Sequence, residues 1–309
     1  MKRITIAVLA LILIAPVVLA VTPPTEDLMK IGVGARPMGM GKAFVALADD
    51  GNAVFLNPAG LAQLNTWQVT SMYSSILSGK VPYMLLSGSS PVGMGQLALG
   101  FISTGISAIP SPTSTGISYF DYFDRLYFVS YAMDGKKIGR ENLLLGANLK
   151  IFTKGFSGSV TDTGTGFDLD LGAKYNLNSK LSFGANLQNI LPTTVHWTTG
   201  ADDDIPMVLK VGTAVRPNQD FTLALDLDVP FKPGFILAHL GAEWPVNPIL
   251  VLRAGLDQIS SADANITTNA TAGVGLLYKG FSLNYAYHPY LDSPSNLAHF
   301  FSISFSPVK

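Results

Sequence analysis

The sequence predicts an all-β protein: a 14-stranded antiparallel transmembrane β-barrel with an N-terminal hatch, or plug, segment. Three observations carry this reading. Only 13% of the 309 residues are charged while 48% are hydrophobic, against roughly a quarter charged in an average soluble domain. Mean hydropathy is +0.33, yet beyond residue 20 no run approaches the ~18 apolar residues a spanning helix needs. From residue 66 onward, segments of about ten residues alternate in polarity between turn residues, the pattern of a membrane wall built from strands.

Taken in chain order, residues 1–20 come first. Lys2 and Arg3 precede an apolar run from Ile4 to Val18 and a small residue at Ala20, the layout of a cleavable signal peptide. The chain has no cysteine, which excludes disulfides, thiolate metal sites, lipid-modified cysteines and a cysteine nucleophile. Its formal charge is −1, so no basic field exists to hold nucleic acid.

Residues 21–65 do not alternate, and with Met38, Met40, Phe44, Val45, Phe55 and Leu56 they are too apolar to stand in water. Something must bury them, and ahead of a barrel wide enough to have a lumen they read most simply as a plug. Gly32, Gly34, Gly39 and Gly41 permit tight turns, Lys42 to Ala48 is expected to form a short helix, and Asn57-Pro58-Ala59-Gly60 a rigid turn.

The barrel occupies residues 66–309. Fourteen segments are predicted, at 66–77, 80–90, 94–104, 121–133, 142–154, 165–176, 180–190, 206–216, 220–230, 234–245, 249–259, 269–278, 281–289 and 297–306. Phe221, Leu223, Leu225, Leu227 and Val229 share one face, Thr222, Ala224, Asp226 and Asp228 the other. Closing such strands into a ring removes the unpaired edges that lipid cannot satisfy. Connections alternate between short turns, assigned to the periplasm, and longer ones that include Gly105 to Phe120, Gly155 to Gly164 and Leu191 to Ile205. Tyr175, Phe221, Trp244, Tyr278, Phe281 and Phe305 fall at the short-turn ends with lipid-facing parity, as an interfacial girdle does.

The inward parity collects charges of both signs, among them Lys150, Asp168, Asp170, Lys174, Arg216, Glu243 and Asp257. A lumen polar network is expected at Lys210, Asp226, His239 and Arg253. In it the turn at Pro217 to Gln219 sets Lys210 opposite Asp226, and Asp226 opposite His239. A ring of one sign would mark an ion-selective pore, whereas this balance reads as internal neutralisation.

Chemistry was sought elsewhere without result. A dinucleotide fingerprint from Gly32 and Gly34 fails at Pro37, and a P-loop ending Gly41-Lys42 fails at Arg36 and Ala43. The four histidines, His196, His239, His288 and His299, lack metal spacing, and Ser302 and Ser304 have the opposite parity to His299, which a lipid hydrolase would need beside them. Sequons at Asn265 and Asn269 are read as chance. No catalytic residue, metal or cofactor is predicted, and the protein is read as non-enzymatic.

The run from Gly34 to Ala62, GARPMGMGKAFVALADDGNAVFLNPAGLA, resembles the N-terminal hatch of FadL-type outer-membrane proteins, closest to the PorV-like branch. Asn57, Pro58 and Ala59 match that family's Asn-Pro-Ala hatch motif, and Gly39, Met40 and Gly41 match the glycine-rich entry of the PorV-like branch. Phe44 and Phe55 are the apolar anchors expected beside them. The resemblance implies an outer-membrane location in a Gram-negative-type bacterium, contact with outer-membrane lipid, and passage of a hydrophobic or amphipathic small molecule through a plugged barrel with a lateral opening near the third strand. Its alternative implication is a PorV-like component of type IX secretion, whose partners would be exported proteins or secretion components. The outer loops are short for the extended ligand groove of fatty-acid transporters, which counts against long-chain fatty acid.

Overall fold

The computed structural model describes residues 28–76, 81–114, 116–191, 194–218, 220–232, 234–260, 265–290 and 297–307. The expected signal peptide lies outside these residues, as do 21–27 of the expected hatch and most of the connections at 77–80, 261–264 and 291–296.

Sixteen strands form one antiparallel sheet. They are β1 (Gln68–Ile76), β2 (Val81–Val92), β3 (Gly95–Thr113), β4 (Gly116–Asp134), β5 (Leu143–Gly158), β6 (Asp162–Asn178), β7 (Leu181–Gln188), β8 (Thr194–Trp197), β9 (Asp202–Asp204), β10 (Val208–Asn218), β11 (Phe221–Pro230), β12 (Leu237–Pro245), β13 (Leu250–Ser260), β14 (Ile266–Tyr278), β15 (Phe281–Pro289) and β16 (Leu297–Phe305). Fourteen close into a barrel: β1 pairs with both β2 and β16, β5 with β6, and β7 with β10, so the wall has no free edge. The remaining pair, β8 and β9, is a hairpin continuing the β7 and β10 lines beyond a break. Each predicted segment falls on one wall strand.

Alternation places the faces. Val69, Tyr73, Leu86, Leu99, Leu171 and Leu223 are exposed on the outside, while their neighbours Thr70, Met72, Ser87, Ala98, Asp170 and Ala224 are buried inside. At the short-turn end, the Phe305 ring lies 4.6 Å from Phe281 and 5.3 Å from Trp67, and Tyr175, Trp244 and Tyr278, on β6, β12 and β14, are also exposed. These rings keep the outward parity expected of them at this end.

Two expected loops are strand instead. Gly105 to Phe120 continues β3 and β4 almost to their tip, with a register shift between Ile106 and Ile109. There Ala108 takes φ 58° and its N–H donates to Asp121 Oδ1 at 2.8 Å. Most of Gly155 to Gly164 likewise belongs to β5 and β6. A bulge absorbs one out-of-pattern residue while the ladder continues past it, which breaks the polarity pattern without ending the strand.

Residues 28–64 lie within the wall. A 3₁₀ turn at Leu28–Lys30 leads through Gly32 and Gly34 to α1 (Ala35–Gly39), then α2 (Ala53–Leu56), then a second 3₁₀ turn at Pro58–Gln63. The helix expected over Lys42 to Ala48 is absent. Lys42 has φ 67° and Ala48 φ 35°, and between them the Phe44 and Val45 amides and the Ala46 and Leu47 carbonyls are hydrogen-bonded to the wall. Contact is close enough to require glycine. A Cβ on Gly255 of β13 would stand 2.2 Å from Gly41 N, and one on Gly172 of β6 would stand 2.3 Å from Asn57 Oδ1.

Candidate functional site

The inner segment is fastened largely through its own backbone. Phe44 N–H and Val45 N–H both donate to Asp226 Oδ2, at 2.6 and 2.7 Å. Ser182 Oγ donates to Ala46 O at 3.1 Å and Lys174 Nζ donates to Leu47 O. Asn148, Asn186 and Gln188 supply amide donors to Val54 O, Leu56 O and Phe55 O. A segment with so little regular structure would otherwise bury orphaned amides and carbonyls, at about 1–3 kcal/mol each; the inward polar side chains supply the missing partners.

The residues singled out in this segment are all buried. Thr271 Oγ1 accepts from Gly41 N–H at 3.1 Å and donates to Gly39 O at 3.3 Å, while Met40 packs where Gly241 leaves room. Phe55 meets Phe128 of β4 edge to face at 5.0 Å, and the Arg36 guanidinium lies over the Phe44 ring at 5.1 Å. Asn57 Nδ2 donates to Val45 O at 2.9 Å and to Ala173 O at 3.1 Å, while its Oδ1 accepts from Ala59 N–H at 3.2 Å. One amide therefore ties the turn, the preceding loop and β6 together, with Pro58 opening the 3₁₀ turn.

The row expected of Lys210, Asp226 and His239 does not form. Lys210 is opposite and bonded to Asp228, and Gly212 stands opposite Asp226. The correction arises at the turn, where β10 runs on to Asn218 with a register shift after Val215, moving the pairing by two residues. Asp226 does stand opposite His239, but the His239 ring reaches Asp257 Oδ1 at 2.8 Å and Asp228 Oδ2 at 3.5 Å. Asp257 also holds His288 Nε2 at 2.6 Å and Lys42 Nζ at 2.9 Å. Two histidines read as isolated therefore share one carboxylate.

Arg253 belongs to a second cluster, nearer the short-turn end. Its Nε is 2.6 Å from Glu243 Oε2, and Glu243 also binds Arg36 at 2.8 Å. Arg36 in turn holds Asp49 at 2.6 Å and Asp50 at 2.9 Å. Burial alone would raise the Asp49 carboxyl, but Arg36, with Lys174 and Arg216, outweighs it and holds Asp49 down at about 2. Against the same cost of burial, Asp49, Glu243 and Asp50 drive Arg36 well above its ordinary value. Sequence reasoning missed this cluster's inner half; the signal was Asp49-Asp50, two adjacent acids in an otherwise apolar stretch.

The lumen is also divided by sector. Met72 of β1, Tyr83 and Leu85 of β2, Ile102 of β3, Leu126 and Phe128 of β4, Phe152 of β5 and Phe300 of β16 point inward and are buried against Leu28, Val54 and Phe55. Most of the charges sit on β6 and from β10 to β13. The inner faces of those strands mix these apolar side chains with Thr70, Ser87, Ser130 and other polar residues, so the apolar sector does not stand out in the sequence.

Among the described residues the regular ladder beside β6 breaks off at the end of β7. β7 stops at Gln188 and Asn189 takes φ 58°. Side chains of β6 stand in for ladder partners there: Asp170 Oδ1 accepts from Asn189 N–H at 3.0 Å and Asp168 Oδ1 from Leu191 N–H at 3.1 Å. Lys150 neutralises Asp170 at 2.6 Å. Just beyond, Gly166 lies opposite Phe152 and beneath Val195. β3, by contrast, pairs with β2 from Gly95 to Thr104 and with β4 from Gly95 to Ile106 without a shift. Above that stretch β3 has its own register shift, between Ile106 and Ile109, so among the described residues the ladder departs from regularity in β3 as well as at the end of β7.

No group of three or more metal-ligating side chains occurs among the described residues. His299 pairs with Tyr285 OH at 2.9 Å on the outer face, whereas Ser302 and Ser304 are buried inside.

No protein-family model matches the chain, and no curated protein is significantly similar to it. Solved structures are similar in fold. The Pseudomonas putida toluene transporter TodX aligns with TM-score 0.66 and 13% identity over 92% of this chain and 99% of its own. For the Ralstonia pickettii toluene transporter TbuX the values are 0.62 and 14%, over 89% and 98%. A Pseudomonas aeruginosa FadL homologue gives 0.58 and 12%, over 93% and 99%. The secretion-component alternative draws no support from these three. This chain thus has the closed 14-strand antiparallel barrel fold seen in FadL-type transporters.

Proposed function

We propose that this protein passes a hydrophobic or amphipathic small molecule across a bacterial outer membrane, without catalysis, residues 1–20 being a removed signal peptide, 21–65 the hatch and 66–309 the barrel. The observation that carries the reading is the one-sided lumen. An apolar cluster on the inner faces of β16 and β1 to β5 is packed by Leu28, Val54 and Phe55, while the charges, the Asp124–Lys154 pair of β4 and β5 among them, are matched among themselves or to the hatch backbone. An apolar solute entering along that sector exchanges one apolar contact for another and strips no charge of its partner. The sector ends at Phe152, beside the break in β7, and that break is the side exit this reading uses. The hydrocarbon cargo of the structural neighbours supports the same solute class.

Deleting residues 23–62 tests it. The truncated protein should still assemble as a heat-modifiable barrel, show much larger conductance steps in planar bilayers, and lose saturable uptake of toluene in cells. Unchanged conductance in a folded deletion protein places the segment outside the solute path and ends this mechanism.

A further inference from the structure

The geometry points to a binding site on the lipid-facing side of the wall, outside the lumen, for a neutral apolar molecule that is dissolved in the membrane and carries one accepting oxygen. The site goes beyond the passage reading and rests only on the wall facing lipid. A groove of about 750 Å³ crosses the outer faces of β14 to β16 and β1 to β3, walled by Tyr73, Met84, Leu86, Leu283, Phe301 and Ile303. A small side chain leaves room for it. In the cross-strand row Leu86, Ser71, Ile303 and Leu283, only Ser71 is short, and its neighbours project past it. The next row toward the longer connections, Met84, Tyr73, Phe301 and Tyr285, is large throughout and lines the groove on that side.

Beside that row the outer face turns polar. Tyr285 OH and His299 Nδ1 are 2.9 Å apart, and the exposed His299 ring lies 6.0 Å from the ring of Tyr285 and 5.6 Å from that of Tyr287. His299 and Phe305 share β16; at ~3.3 Å per residue and a tilt of ~40°, their separation places His299 about 15 Å from the short-turn end of an apolar band ~25 Å tall. The pair therefore faces hydrocarbon, where an ionisable side chain marks a functional site. An imidazole and a phenol bring at least two polar hydrogens, and their mutual bond uses one. The other is left for an acceptor in the membrane.

Depth and size select the occupant. A phospholipid keeps its ester oxygens at the edge of the band, about 10 Å from His299 on the nearer side. A second copy of this chain would need a matching face of about 800 Å², whereas the groove has the volume of a small-molecule site, roughly 300–1,000 Å³. A charged headgroup is excluded by the cost of carrying charge into hydrocarbon. What fits is a neutral molecule, apolar over most of its surface, whose one carbonyl or hydroxyl oxygen meets the Tyr285–His299 pair while its body lies on Leu283, Phe301 and Ile303.

The test reconstitutes the full mature chain in vesicles of phosphatidylethanolamine and phosphatidylglycerol and irradiates it with benzophenone, a neutral ketone that inserts into nearby C–H bonds. Adducts should gather on Leu283, Tyr285 and Phe301 about tenfold over Leu171 and Leu223, which are similarly exposed elsewhere on the wall. 9-Fluorenone should displace the label, and fluorene, which lacks the oxygen, should not. His299→Phe with Tyr285→Phe keeps the rings and removes the donor, so labelling at Leu283 and Phe301 should fall to the level at Leu171 in a barrel that is still heat-modifiable. Adducts spread evenly over the outward leucines would show that the groove holds no site. Enrichment that survives the double variant, or yields to fluorene as readily as to 9-fluorenone, would overturn the recognition of oxygen. Enrichment that fades as the protein-to-lipid ratio rises would give the groove to a second copy and overturn the small-molecule site. Labelling is read without uptake, so the site stands or falls separately from passage.

Discussion

Replacing Asp226 with alanine should release the inner segment, and the size of the effect follows from two hydrogen bonds. The carboxylate takes both Phe44 N–H and Val45 N–H on one oxygen, at 2.6 and 2.7 Å, with all three residues buried. Alanine leaves two buried amides without a partner, at about 1–3 kcal/mol each. Relief from burying the carboxylate offsets part of that, so a net loss of about 3 kcal/mol is expected. Asp226→Asn retains an acceptor oxygen and should lose about 1 kcal/mol or less, since only the charge assistance goes. Trypsin cleavage after Lys30 or Lys42 in the intact barrel reads the opened population directly. Cleavage should quicken roughly a hundredfold in Asp226→Ala, as about 3 kcal/mol requires. Lys210→Met should not restore protection, because Lys210 bonds Asp228, and the two losses should add within a few tenths of a kcal/mol. Rescue of Asp226→Ala by Lys210→Met would refute the register and the anchoring role together.

Gly255→Ala should lower the melting temperature and loosen the inner segment, since the new methyl group would stand 2.2 Å from Gly41 N, backbone against backbone; a melting curve unchanged from the parent would contradict that packing. Ser114→Cys, at the tip of the β3–β4 hairpin, and Thr199→Cys, at the tip of the β8–β9 hairpin, should both label on intact cells. Labelling only after the membrane is broken would invert the orientation. Acid should free the segment late. The Asp49 carboxyl is held at about 2 against an ordinary 3.8, so its contribution is complete above 3.8 and is lost as pH falls from there through about 2. Bilayer conductance should stay closed at pH 5 and begin to leak only in that lower window; leakage setting in between pH 7 and 5 would assign the latch to other groups.

Much of the fold was readable because a period of two is rigid: once Leu223, Leu225 and Leu227 face lipid, Ala224 and Asp226 must face inward. What resisted reading were places where the chain departs from that period for local reasons. The shift between Val215 and Asn218 holds Pro217, which reads equally as a turn, and it moved Lys210 from Asp226 to Asp228. The stretch Lys42 to Ala48 has helical composition, but its amides and carbonyls are claimed by Asp226, Asn57, Ser182 and Lys174, and tertiary hydrogen bonds override propensity. The His239, His288 and Asp257 cluster joins strands β12, β13 and β15, so adjacency in the chain could not disclose it.

The division of the lumen also fixes how the segment inside it can move. From β6 round to β14 it is held mostly by directional bonds, several of them charge-assisted, to Ala46, Leu47, Leu56, Phe44, Val45 and Gly41. Each would have to be broken without water at hand. Toward β3 and β4 the contacts of Val54 and Phe55 are with Ile102, Leu126, Phe128 and their neighbours, and packing of that kind has no fixed direction. An entering apolar solute can replace those contacts nearly one for one, whereas nothing it carries can replace the carboxylate of Asp226. The segment should therefore hinge on its polar side and part from the wall on its apolar side. Met72, Leu85, Ile102, Leu126, Phe128 and Phe300, scattered among polar residues on those strands, meet only in the folded wall, and there they give the barrel a route for an apolar molecule.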